Sequence, residues 1–157
     1  MDRLNLIIKN VEFVTNYKII ESFEVDREFC KHDLTHFLDV ARIMYIINLE
    51  EKLNLKKDII YATALLHDIG RSLEYRENIN HNIGAREISI NILKDSNYNS
   101  EEISQIINAI ISHNSRDNIV LNNLLRKADK LSRNCFMCKS YKKCKWSEAK
   151  KNKEIIL

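Results

Sequence analysis

A chain of 157 residues with 45% apolar content has material for one packed core and too little for two. Its 25 Lys and Arg against 22 Asp and Glu leave a net charge of +3, which excludes a histone-like polycation and an acidic disordered coil. The charge is uneven: Arg126 to Lys153 holds eleven basic and two acidic residues, a local +9 that leaves −6 for the rest.

No apolar run approaches the roughly 20 residues that span a bilayer, and MDRLNLIIKN lacks the apolar stretch and cleavage site of a signal peptide. A cytoplasmic chain with no membrane partner is expected. In that reducing compartment the four cysteines favour metal ligation or buried thiols over disulfides. With no proline and two glycines, a Gly-rich phosphate loop is excluded.

Apolar residues recur at helical spacing nearly throughout, so the expected fold class is all-α. Residues 11–22 form one amphipathic helix, within an N-terminal helical segment over 1–29. Residues 32–53 carry the stripe Phe37, Val40, Ala41, Met44 and Ile47 of a buried helix. Residues 56–67 are apolar on most sides, with Gly70 as a C-terminal stop. Two helices follow over 81–94 and 101–113, and Asp117 opens a last one through Leu121, Leu124, Leu125, Ala128 and Leu131. Beyond Arg133 the periodicity ends, leaving an irregular, basic, cysteine-containing tail over 134–157 that packs on the domain.

His67 and Asp68 close the most apolar helix, in ALLHDIGR, where an unneutralised carboxylate is costly to desolvate. The pattern offers two partners. His36 shares the face of Val40 and Ile43, and Asp129 stands four residues after Leu125 on the inner edge of the last helix. Two imidazoles and two carboxylates from three helices make a mixed site for Zn, Fe or Mn with open positions for water and substrate.

The segments HFLDV from His36, LLHDIGR, and ADKL around Asp129 resemble the H…HD…D signature of the HD-domain metal-dependent phosphohydrolases, over about residues 30–133. The resemblance implies an HD-domain helical bundle with His36, His67, Asp68 and Asp129 holding a first divalent metal. Asp39 departs from the pattern, standing where the family often has Arg. His81, in HNIGA, and His113, in IISH, fall where relatives carry a second metal or a phosphate contact. Both roles stay open for them, with helix capping as the alternative. His32 lies four residues before His36, near the helix start, and is expected to hydrogen-bond a ligand rather than bind metal. Arg71 and Lys130, each directly after a ligand segment, are the candidate phosphate contacts, with Arg86 a weaker third.

Cys135, Cys138 and Cys144 give C-x2-C-x5-C, one ligand short of a tetrahedral site. Cys30 is six residues before His36, and Cys135 six after Asp129. If the two helices run antiparallel through a shared metal, both offsets lead the same way by about 9 Å, at roughly 1.5 Å per residue. Cys30 then completes the set, in a centre separate from the hydrolytic one. With Trp146 nearby, the trio resembles the end of the loop that holds [4Fe-4S] in DNA glycosylases of the endonuclease III type, whose first cysteine is absent here. Either [4Fe-4S] or Zn is expected, clamping the tail, with reduced free thiols as the alternative.

The expected activity is hydrolysis, by a metal-activated water, of a phosphoester or phosphoanhydride in a nucleotide or other small phosphorylated metabolite. The competing expectations are a nucleic-acid-binding module, using the basic tail with Tyr141 and Trp146, and an iron- or oxidation-sensing domain built on the cysteines.

Overall fold

The computed structural model describes residues 2–112 and 118–156. Among these are eight helices and no strand: α1 (Asp2–Lys9), α2 (Val11–Phe23), α3 (Leu34–Glu50), α4 (Lys57–Leu66), α5 (Arg71–Glu77), α6 (His81–Asp95), α7 (Ser100–Ser112) and α8 (Val120–Leu131). Two short 3-10 turns, Cys135–Met137 and Tyr141–Lys143, follow. No helix is long and apolar enough to cross a membrane among the described residues.

Helix α3 is the axis of the bundle, packing chiefly on α4 and α8, while α6 packs on α5 and α7. Phe37, Val40, Ala41 and Met44 of α3 meet Ile60, Leu66, Ile106, Ile110 and Leu125 in one buried cluster. Each Val, Leu, Ile, Met or Phe side chain among them contributes about 1.5–3 kcal/mol on burial. Helix α4 buries seven of its ten residues, as its all-round apolar sequence requires. Arg3 on α1 reaches both Asp58 of α4 and Glu102 of α7, clipping the first helix onto the bundle.

Several boundaries differ from the sequence reading. Helix α3 begins at Leu34, because the Asp33 side chain accepts the His36 amide at 2.9 Å and caps the helix there. His32 and Cys30 therefore precede the helix. The last helix begins at Val120; Asp117 lies outside the described residues. Helix α4 ends at Leu66, and His67 and Asp68 occupy the turn that leads into α5. Helix α5 is too short and polar to show in the periodicity, and Asn78, at φ 57°, ends it so that the chain returns toward α6.

Gly70 is not a helix stop. Its φ of −69° is available to any residue, and what demands glycine is a close crossing. A Cβ there would lie 2.1 Å from both the Ala85 amide nitrogen and the His81 carbonyl oxygen. Gly84 faces it across the same crossing, so both glycines of the chain serve one contact between the turn and α6.

Candidate metal site and its cavity

Three packed elements bring four ligand-type side chains to one point. His36 comes from the capped first turn of α3, His67 and Asp68 from the turn after α4, and Asp129 from α8. One nitrogen or oxygen from each lies within 4.8 Å of all the others. His36 Nε2 is 3.8 Å from Asp68 Oδ2 and 3.4 Å from Asp129 Oδ1; His67 Nε2 is 3.2 Å and 3.9 Å from the same two oxygens. His36, His67 and Asp68 are buried and Asp129 is half-buried.

The surrounding hydrogen bonds set the tautomers. His67 Nδ1 lies 2.7 Å from the Ala64 carbonyl, to which it can only donate, so Nε2 carries the ring's lone pair when the imidazole is neutral. Ser132 Oγ donates to the Asp129 carbonyl at 2.6 Å and therefore accepts from His36 Nδ1 at 3.1 Å, again leaving Nε2 as the acceptor nitrogen. Burial pulls the His36 pKa down to about 4 against the attraction of Asp68, so the ring is neutral at physiological pH.

The carboxylates make this a point that attracts positive charge. Burial raises the Asp68 pKa, but the positive charges of His67 and Arg71 outweigh it and hold the group well below the usual carboxylate range. Burial also disfavours a charged His67, yet Asp68 and Asp129 reverse this and raise its pKa. Asp129 Oδ1 is buried and accepts no hydrogen bond among the described residues. A buried carboxylate oxygen without a donor is costly unless a cation satisfies it, so this donor set fits a divalent metal.

A further layer orients the ligands. His32 gives its amide to Glu24 at 2.7 Å and its Nδ1 to the other oxygen at 2.6 Å, while its Nε2 stands 3.7 Å from Asp68 Oδ2. Burial would raise the Glu24 pKa, but hydrogen bonds from His32 and Tyr75 hold it at about 2. Arg71 donates from Nε to Asp68 Oδ1 and from Nη1 to Glu74, both at 3.0 Å, and Glu74 is 3.2 Å from His81 Nδ1. Arg133 donates from Nη2 to His36 Nε2 at 2.8 Å and is 3.6 Å from Asp129 Oδ1.

A cavity of about 460 Å³ opens beside this group, with His32, Asp68, His81 and Asp129 on its wall. Arg27, Arg71, Arg133, Lys145 and Lys151 line it with positive charge, and Phe29, Tyr141 and Trp146 add aromatic surface. All four cysteines line it too, as free thiols, so the tail borders this cavity rather than forming a separate compartment.

Of the residues singled out in the sequence, His36, His67, Asp68 and Asp129 converge, with His32, Arg71 and His81 beside them. Lys130 is exposed and does not line the cavity, since consecutive helical residues point about 100° apart, whereas Arg133, just past the end of α8, does line it. Arg86 is exposed. Asn80, not His81, caps α6, and Asp39 pairs with Arg42 at 3.3 Å. His113 lies outside the described residues. Glu24, Glu74, Ser132 and Arg133 were not anticipated. For Ser132 and Arg133 the spacing of three and four after Asp129 is a readable signal, whereas Glu24 acts across a loop and leaves none.

A family model described as HD domain matches residues 33–134. An uncharacterized protein of Clostridium beijerinckii is 49% identical over 155 residues, covering 99% of each chain. No solved structure matches the chain.

Proposed function

The chain belongs to the HD domain family, and from that premise we propose that it is a cytoplasmic metal-dependent phosphohydrolase. Its substrate in this reading is a phosphoester or phosphoanhydride of a nucleotide or other small phosphorylated metabolite. The observation that carries it is the convergence of His36, His67, Asp68 and Asp129 around the buried, donor-less Asp129 Oδ1. These four would hold a divalent Fe, Mn or Zn ion. When bound, such an ion supplies Lewis acidity and acidifies water from a pKa of about 15.7 towards neutrality.

The chain's own residues supply the rest. Arg133 presents a guanidinium, 10% exposed, from within the cavity, and Arg71 presents another while steadying Asp68. Planar guanidinium groups suit phosphate oxygens, and their fixed charges suit the negative charge that accumulates during phosphoryl transfer. His81, on the same wall, serves a second cation or the phosphate. Trp146, Tyr141 and Phe29 provide flat apolar surface for the remainder of a nucleotide. The four cysteines complete the reading as an iron–sulfur or zinc centre.

The test is metal analysis of anaerobically purified protein together with a panel of nucleotide and sugar-phosphate substrates. A divalent ion and hydrolysis are expected, both lost in Asp68→Asn with helical content retained by circular dichroism. Full activity in Asp68→Asn overturns the reading. Steeply salt-dependent RNA or DNA binding without any hydrolysis transfers the assignment to a nucleic-acid-binding module.

A further inference from the structure

Cys30 and the tail trio are more than a hundred residues apart in sequence, and the chain is tied so as to bring them together. Arg27 Nε donates to the Cys30 carbonyl at 2.9 Å, and Arg133 Nη1 to the Lys31 carbonyl at 2.8 Å. Ser140 Oγ donates to the Glu28 carbonyl at 3.0 Å, and Lys143 Nζ to the Glu28 carboxylate at 2.8 Å. Within the tail, the amides of Cys138, Tyr141 and Cys144 return to the carbonyls of Cys135, Cys138 and Tyr141. These successive three-residue turns bring all three thiols to the cavity wall that Cys30 shares. Burial raises the Cys30 pKa, Arg133 draws it down, and Cys135, Cys138 and Cys144 push it up, which places all three tail thiols within electrostatic reach of Cys30.

Four thiols lining one cavity beside Arg27, Arg133, Lys145 and Lys151 are placed to be metal ligands, not apolar core filling. The span distinguishes what they hold. A zinc ion with bonds of about 2.3 Å draws four sulfurs to about 3.8 Å from one another. Among the described residues, the group whose ligand atoms lie within 4.8 Å of one another is His36, His67, Asp68 and Asp129, and the four cysteines form no such group. A cubane has one thiolate on each of four irons and needs a wider ring.

We infer that Cys30, Cys135, Cys138 and Cys144 hold a [4Fe-4S] cluster that forms part of the wall of the hydrolytic cavity. A cluster delivered intact by an iron–sulfur carrier protein is taken up by ligand exchange: each thiol gives up its proton, its sulfur bonds one iron, and the carrier's ligand leaves that iron, with no change of oxidation state. Arg133 precedes Cys135 by two residues, and Lys145 and Trp146 directly follow Cys144, so the cluster fixes the cations and the ring that face the substrate. The cluster itself rests on the cysteine geometry alone. Its effect on substrate binding rests on the phosphohydrolase reading.

The experiment is iron and acid-labile sulfide analysis of the anaerobic full-length protein, with absorbance spectra and with kinetics on whichever nucleotide the panel yields. About four irons and four sulfides per chain are expected beyond the HD-site ion. Asp68→Asn should keep the cluster and lose hydrolysis. Cys30→Ser should lose the cluster, keep the HD-site ion, and raise KM about tenfold or more with kcat changed less. Cys138→Ser, in an outer turn, gives the same readout should Cys30→Ser not fold. Absent sulfide, stoichiometric thiolate-bound zinc, or four freely titrating thiols in the anaerobic native protein overturns the cluster. Unchanged KM after cluster loss overturns its role at the cavity. A cluster present with no hydrolysis of any substrate removes the phosphohydrolase reading and leaves the cluster in place.

Discussion

Ser132 Oγ joins two residues of the candidate metal site: it accepts from His36 Nδ1 at 3.1 Å while donating to the carbonyl of Asp129 at 2.6 Å. Through it, the ring orientation of a residue on α3 is fixed by the backbone of α8. Ser132→Ala removes the partner of the Nδ1 hydrogen and frees the ring to take the other tautomer, which turns an N–H toward the metal position. Loss of such a partner typically costs 10–100-fold in metal affinity. Titration of metal-free Ser132→Ala with Zn or Mn should show that weakening with little change in unfolding midpoint, whereas wild-type affinity removes Ser132 from the site.

Lys130, in the last turn of α8, and Arg133, just past its end, test which cation meets the substrate. Arg133 points into the cavity and Lys130 points to solvent. Hydrogen bonds to charged groups contribute about 1.5–3 kcal/mol, so Arg133→Ala should raise KM for a phosphorylated substrate roughly 10–100-fold. Lys130→Ala should stay within about twofold. Equal effects from the two variants would mean that long-range charge rather than contact is responsible, which a salt titration of KM then reads directly.

The convergence of His36, His67, Asp68 and Asp129 was legible in the sequence because each is anchored to an apolar helical stripe or to a paired His-Asp at the end of one. What was not legible depends on direction. Lys130 was favoured by adjacency to Asp129, but adjacent helical residues point about 100° apart. The offset of Cys30 from His36 was reckoned along a helix axis, yet Cys30 precedes α3 in an irregular loop, and axial distance cannot tell which way a loop turns. All four cysteines line the cavity that Asp68 and Asp129 border, an adjacency that the sequence does not display. Glu24 holds His32 from the far side of a loop whose contacts no periodicity records. Helix α5 stayed hidden because its seven residues, RSLEYRE, are too few and too polar to form a stripe.

Acid sensitivity should reside partly in the clip between α1 and the bundle. Arg3 Nη1 donates to Glu102 Oε2 at 2.6 Å, and this hydrogen bond, helped by the Asn99 amide and Lys56, holds the Glu102 pKa at about 2. A carboxylate held lower in the folded state stabilises fully above its unfolded value of about 4.3 and loses that contribution as pH falls through about 2. Glu102→Gln should therefore cost about 1 kcal/mol in urea unfolding at pH 7, with its difference from wild type shrinking from about pH 4.3 downward. A constant difference across that range would show that packing rather than charge is lost.

The Gly70 crossing predicts a sharp asymmetry between the two glycines. At Gly70 a methyl group would meet the Ala85 nitrogen and the His81 oxygen at 2.1 Å and the Gly84 carbonyl carbon at 2.7 Å, all backbone atoms that cannot rotate aside. Relief requires α6 to move away from the turn that carries His67 and Asp68. Overpacking of this kind costs about 1–3 kcal/mol and more where backbone must shift, so Gly70→Ala should lower stability by about 2–4 kcal/mol. It should also weaken metal binding, because the displaced turn carries two of the four candidate ligands. At Gly84 the closest approaches are 3.0 Å to the Gly70 oxygen and 3.3 Å to its Cα, a strain of a few tenths of an ångström. Alanine there gains about 1 kcal/mol of helix propensity within α6, which offsets much of that strain. Urea unfolding of both variants should then show Gly84→Ala within about 1 kcal/mol of wild type and Gly70→Ala far below it. Equal stability of the two would mean that the turn and α6 can separate at no cost, and that the close crossing does not position the His67 and Asp68 turn.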